Sequence, residues 1–191
     1  MATMKPRLTN EYFVGEILIL NLTGDGDPVD ANQTDLRYYF TVYEIRYLKL
    51  LLGYDYDRAQ DGEDLFTEFN DALVAADNDY DSLSSKWQDL HDQIYPLKTD
   101  DNPFYVSPAA YYVYFFYTRQ NVKIKTTTGN ATPVFENAVA SESVNTLVFA
   151  WNRMAELSDD ISEWLLDNVS TYDTYVAATP NLLTPINRFG I

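Results

Sequence analysis

The stretch DANQTDLRYYFTVYEIRYLKLLLG, residues 30–53, decides the fold class. Leu36, Phe40, Tyr43, Tyr47 and Leu50 recur at alternating steps of four and three, which places them on one stripe of a helix. Asp30 or Asn32 offers a capping oxygen at its start, and Gly53 offers a left-handed residue at its end. A second stripe, Tyr38, Val42, Ile45 and Leu52, predicts a helix covered on two sides, as in the middle of a bundle.

The helical period returns along the rest of the chain. Leu65, Phe66, Phe69 and Leu73 predict a helix from about Glu63 to Ala76, opened near Asp61 or Gly62. Leu83, Trp87, Leu90 and Ile94 predict another, capped by Ser82 and closed before Pro96, because the residue ahead of a proline is pushed out of helical geometry. Ser107-Pro108 opens the next, with a hydroxyl cap followed by a ring whose missing N–H is no loss at the first helical position. The run AAYYVYFFY, residues 109–117, carries no charge and predicts a helix buried all round, part of whose tyrosine-rich surface meets another chain or the chain's own core. A last helix starts near Ser141 or Ser143 and follows Val144, Leu147, Val148, Trp151, Met154, Ile161 and Leu165. At about 26 residues it would be roughly 39 Å long, with a break allowed at Ser158-Asp159-Asp160.

Two regions leave this pattern. VKIKT, residues 122–126, alternates apolar and basic, Gly129-Asn130 can turn the chain, and Pro133 confines the return strand to an edge, so a small hairpin is expected at about 122–135. Thr179-Pro180 and Thr184-Pro185 prevent regular structure near the end. The expected architecture is mainly α: a single-domain helical bundle spanning 30–178, a small β-hairpin insertion, and extended arms at 1–29 and 179–191.

A length of 191 residues fits one domain, and 46% hydrophobic content is too apolar for a disordered acidic tail. The first apolar run, Ile17–Leu20, is too short for a signal-peptide core, and the longest lipophilic stretch is too short to span a membrane, so no membrane role is expected. Thirteen Lys and Arg stand against 29 Asp and Glu, a net charge of −16, which disfavours binding nucleic acid through its phosphates. The acid is concentrated: residues 55–101 hold 14 acids and three bases, a solvated face or one bordering a path for nucleic acid.

Chemistry is sparse. The chain has no cysteine and one histidine, which rules out thiolate sites and paired imidazoles. Asp57, Asp61, Gly62 and Glu68 match part of a calcium loop, but Ala59 and Asp64 occupy positions that the motif needs otherwise, and Asp77, Asp79 and Asp81 lack its glycine and closing glutamate. His91, between Asp89 and Asp92, reads as a solvated histidine on a polar helix face. No phosphate loop or nucleophile elbow is present, and neither enzyme activity nor a metal or other cofactor is expected.

Several blocks together resemble one family. Tyr111-Tyr-Val-Tyr-Phe-Phe-Tyr-Thr-Arg119, Thr126-Thr-Thr-Gly129, Glu136-Asn137-Ala138 and Ala150-Trp151-Asn152-Arg153-Met154 resemble the head-to-tail connector, or ring, proteins below the portal in tailed phages of Bacteroidetes, crAss-like phages included. Leu51-Leu-Gly53-Tyr-Asp55 and the terminal Asn187-Arg-Phe-Gly-Ile191 fit the same group. The resemblance implies a structural virion protein, made in the host bacterial cytoplasm, present as a homo-oligomeric ring of about twelve copies. Its implied partners are the portal, other neck or tail proteins, and passing double-stranded DNA that is not bound specifically. The expected interface residues are Tyr111, Tyr112, Tyr114, Phe115 and Tyr117 on the aromatic helix, Lys123 and Lys125 on the hairpin, and Leu182, Leu183, Ile186, Arg188, Phe189 and Ile191 on the docking arm. An acidic regulator that masks a basic nucleic-acid-binding partner is the alternative from a different class.

Overall fold

In the computed structural model of the chain, the helix expected at 30–53 is described from residue 36 and runs to 51 (α1). Its middle, Phe40–Glu44, is a π turn, and Ile45–Leu51 is α-helical. The described residues are 4–19, 36–96, 106–121, 124–126, 129–131, 138–176 and 183–186, with 121, 124–126, 129–131 and 138–144 described by backbone alone. The proposed caps Asp30 and Asn32 lie outside them. Buried positions follow successive fours, Leu36, Phe40, Glu44 and Leu48, as the widened turn requires, so Glu44 takes the inward place that the sequence period gives to Tyr43. The second stripe is only partly covered: Leu52 is buried, but Tyr38 is 60% and Val42 39% exposed. That corrects the expectation of cover on two sides.

Gly53 adopts φ +70° and ends α1. A short helix that the period did not announce, Tyr56–Asp61 (α2), follows, with Asp55 accepting bonds from the N–H groups of Asp57 and Arg58 and Gly62 closing it at φ +71°. Leu65–Ala75 (α3) is capped by Asp64, not by Asp61 or Gly62. The Asp64 carboxylate accepts from the Thr67 N–H at 2.9 Å and from the Thr67 hydroxyl at 2.7 Å, and it is fully buried. Replacing Asp64 with alanine is expected to cost about 1–2 kcal/mol in urea unfolding, against no more than about 1 kcal/mol for the exposed cap Asp55→Ala; equal losses would rule out the buried cap.

Ser84, not Ser82, precedes Ser85–Ile94 (α4), which stops ahead of Pro96. Pro108–Asn121 (α5) opens at Ser107, whose hydroxyl accepts from the Ala110 N–H at 3.4 Å. Ile124–Thr126 (β1) and Gly129–Ala131 (β2) pair antiparallel, Ile124 opposite Ala131 and Thr126 opposite Gly129. Three paired residues on each side leave the molecule mainly helical and do not support the small projecting hairpin expected at about 122–135, much of which lies outside the described residues. Ala138–Asp167 (α6) has 30 residues and passes through Ser158-Asp159-Asp160 unbroken, correcting the allowed break. The Ser158 hydroxyl turns back to the Met154 carbonyl at 2.7 Å and meets the Tyr47 hydroxyl at 2.9 Å, so this polar residue is fully bonded inside a continuous helix.

The core lies where α1, α5 and α6 meet. Ala109, Ala110 and Val113 on α5 and Ala150, Met154 and Ala155 on α6 are fully buried, and the four alanines let the two helices approach closely. Tyr112, Phe115 and Trp151 fill the seam, with ring centroids 6.1 Å apart for Tyr112–Trp151 and 4.9 Å for Phe115–Trp151. Burying such rings is the main stabilising contribution of this layer.

The N-terminal arm expected at 1–29 is corrected for its described part. Met4, Leu8, Tyr12, Phe13, Ile17 and Ile19 are buried in the same core. Residues 4–8 have no regular secondary structure and, among the described residues, no strand beside them, so their N–H groups need side-chain acceptors. Met4 donates to Asn70 Oδ1 (3.0 Å), Lys5 to Asn78 Oδ1 (2.9 Å), and Arg7 and Leu8 to the two oxygens of Glu44 (2.7 and 3.2 Å).

Candidate functional site

The expected interface residues fall into three groups. Tyr111, Tyr112 and Tyr114 are buried in the chain's own core, while Phe115 and Tyr117 are half-buried. The Tyr111 hydroxyl donates to Glu16 at 3.2 Å, and burial together with that carboxylate pushes the phenol up to about 12. The rings named for an interface are thus largely used within the chain, and among the described side chains of α5 only Arg119 and Gln120 are exposed. Lys125 occupies the middle of β1, opposite Asn130. Lys123, Leu182, Arg188, Phe189 and Ile191 lie outside the described residues.

The third group is the described part of the C-terminal arm, Leu183–Ile186. It crosses α6 and is held by side chains that bond only to its main chain. The Trp151 indole donates to the Thr184 carbonyl at 2.8 Å, and Asn152 grips Ile186 at both ends, accepting from its N–H at 2.8 Å and donating to its carbonyl at 3.2 Å. Thr184, Pro185 and Ile186 remain exposed, and Leu183 packs against the core. A planar amide that both accepts from and donates to one residue of a peptide is a small recognition site for extended backbone of any sequence. Trp151 and Asn152 belong to one of the blocks quoted for the family resemblance, but period and spacing did not single out Asn152.

The second feature missed by the sequence is Glu44. Its Oε1 accepts from the Arg7 N–H and, at 2.7 Å, from the Tyr95 hydroxyl, and its Oε2 accepts from the Leu8 N–H. The residue is fully buried, and burial pushes its carboxyl up to about 7, with the three bonds and the Arg7 charge offsetting only part of that rise. The same partner drives the Tyr95 phenol upward, burial adding most. One acid inside an apolar stripe is the signal that could have found it.

His91 is corrected as well. It is 4% exposed, its ring centroid lies 5.0 Å from that of Tyr80 and 5.1 Å from that of Tyr95, and Nδ1 approaches Asp92 at 3.3 Å. Burial lowers its pKa, with the Asp92 bond opposing. Most acids of 55–96 are exposed, including Asp57, Asp61, Asp77, Asp79 and Asp81, and among the described residues no group of three or more His, Asp or Glu converges as a cation site. Among the described residues, no helix is long and apolar enough to cross a membrane.

No family model, curated protein or solved structure matches the chain. The site itself has to carry the functional reading.

Proposed function

We propose that the chain is a structural subunit of a phage neck: a helical connector that forms a homo-oligomeric ring below the portal, extends the DNA channel and joins capsid to tail. The observation that carries this reading is the hold on Leu183–Ile186. Three bonds from Trp151 and Asn152 reach only main-chain atoms, while three of the four side chains point outward. Such a contact is local and replaceable, which suits an arm that leaves its own body and docks on a neighbour or on the portal during assembly. Exposed carboxylates along 55–96 repel phosphate, so DNA would pass without being bound specifically.

The test is made on particles. The chain is expected in purified virions at the neck, and deleting residues 182–191 is expected to leave its helical circular dichroism unchanged while abolishing its incorporation. Normal incorporation of the shortened chain would end the arm's role, and absence of the full chain from virions would end the connector reading.

A further inference from the structure

The exposed side chains of α1 and of the end of α5 include bases and no acid. Residues 36–51 and 106–121 contain Arg37, Arg46, Lys49 and Arg119 and a single acid, the buried Glu44. Arg37, Tyr38, Thr41, Val42 and Arg46 are exposed on α1, and Arg119 and Gln120 on α5. The two helices present one continuous surface. Tyr43 stacks on Phe116 with centroids 4.5 Å apart, the Arg46 guanidinium sits 5.8 Å from the same ring, and Gln120 bonds the hydroxyls of Tyr39 (2.6 Å) and Tyr43 (2.9 Å). The result is a cationic, aromatic ridge with Tyr38 and Val42 at its crest. Arg, Tyr and large apolar groups gathered in this way are the composition of interface centres.

The segment 55–96 carries the complementary charge. Residues 55–96 hold 12 acids against Arg58 and Lys86, and both bases are engaged, Arg58 with the carbonyls of Glu63 and Thr174 and Lys86 with Glu68 at 3.2 Å. Within this segment a groove is floored by Ala72, Ala76, Leu83 and Trp87. It offers an apolar bed, edged by Asp77, which pairs with Lys5 at 3.5 Å, and followed in the chain by the exposed Asp79 and Asp81, to an apolar crest flanked by arginines.

We propose that the α1/α5 ridge docks into the α3/α4 groove of a second copy of this chain. The occupant is chosen by local chemistry: the exposed Arg37, Arg46 and Arg119 match the exposed acids near the groove of a second copy, whereas duplex DNA offers phosphates but no apolar bed for Tyr38 and Val42. Because ridge and groove are different patches, the contact is head-to-tail and leaves each copy with one free ridge or groove, so it propagates until a ring closes. This rests on the connector reading and gives it a subunit contact separate from the C-terminal arm.

Sedimentation velocity of the full chain tests it. In about 20 mM salt the wild type is expected to form species larger than one chain that grow with concentration and fall back to single chains in about 0.5 M salt. A ridge variant, Tyr38→Ala with Arg46→Glu, and a groove variant, Ala75→Arg with Asp81→Lys, change exposed side chains only, and unchanged melting curves check that both fold. Each alone is expected to associate roughly thirtyfold more weakly or less. Mixed one to one they are expected to form a complex that stops at two chains, since only one intact ridge and one intact groove can meet. Wild type that stays a single chain at low salt, variants that associate like wild type, or a ridge that binds duplex DNA in place of protein would each overturn the docking. Incorporation into virions separates the two ideas: a chain found at the neck whose association ignores both faces keeps the connector and loses this contact, and a chain that self-docks but is missing from virions does the reverse.

Discussion

Glu44→Gln is expected to cost stability at pH 5 and to cost much less, or nothing, at pH 8. The carboxyl of Glu44 rises from 4.5 to about 7 on folding, so between those values the folded protein binds a proton that the unfolded chain has released. Stability from this group is therefore complete below about pH 4.5 and is lost as pH rises through 7. A rise of that size corresponds to about 3 kcal/mol, which for a chain of this length is roughly 6–12 °C in melting temperature. Glutamine cannot ionise, and its carbonyl can still accept from Arg7 and Tyr95, but its amide faces the Leu8 N–H as donor against donor. His91 works in the opposite direction, since its lowered pKa costs stability as pH falls below its unfolded value, but it is present in both proteins and cancels in the comparison. The measurement is the gap between the two melting temperatures from pH 5 to 8. A gap that does not narrow would mean that Glu44 is not a buried, proton-holding group.

The second large effect is expected at Gly53. A Cβ there would lie 2.3 Å from the Val176 carbonyl oxygen, and φ is +70°, so alanine is both strained and obstructed by backbone. Gly62 is the natural control, at φ +71° with nothing within 4 Å of the added carbon. Gly62→Ala should lose only the left-handed penalty, about 1–2 kcal/mol. Gly53→Ala must also lift the segment through Val176, which is tied down by the Arg58 bond to Thr174 (3.0 Å) and the Tyr172 hydroxyl bond to the Lys86 carbonyl (2.8 Å). The combined loss is roughly 2–5 kcal/mol in urea unfolding, with faster proteolysis after residue 167. Equal effects at the two glycines would show that Val176 does not rest on Gly53.

The helical body was legible because its packing is periodic. Leu65, Phe66, Phe69 and Leu73 are buried as their spacing predicted, Ser107-Pro108 opens a helix as its chemistry predicted, and α6 carries Met154, Ile161 and Leu165 inward. What escaped was set by tertiary partners. The π turn is invisible to a rule that counts threes and fours, and it is what carries Glu44 into the core in place of Tyr43. Residues 4–19 look polar and irregular, yet Asn70, Asn78 and Glu44 take up the N–H groups of Met4, Lys5, Arg7 and Leu8, and the apolar side chains that follow join the core. His91 seemed solvated because its sequence neighbours are acids; its spatial neighbours are Tyr80 and Tyr95. Asn152 gave no signal, since an amide that binds backbone leaves no pattern in side-chain spacing.

The wide turn in α1 stores one residue of slack. Losing a single codon between Phe40 and Tyr43 would let ordinary helical bonding close over the gap, and everything after it, from Tyr47 to Leu52, could keep its neighbours. Everything before it would keep its faces as well, since the residue lost is the one the wide turn holds in excess. Leu36 would stay inward and Tyr38 outward, whereas the same loss from the regular helix after Ile45 would turn one side against the other by about 100°.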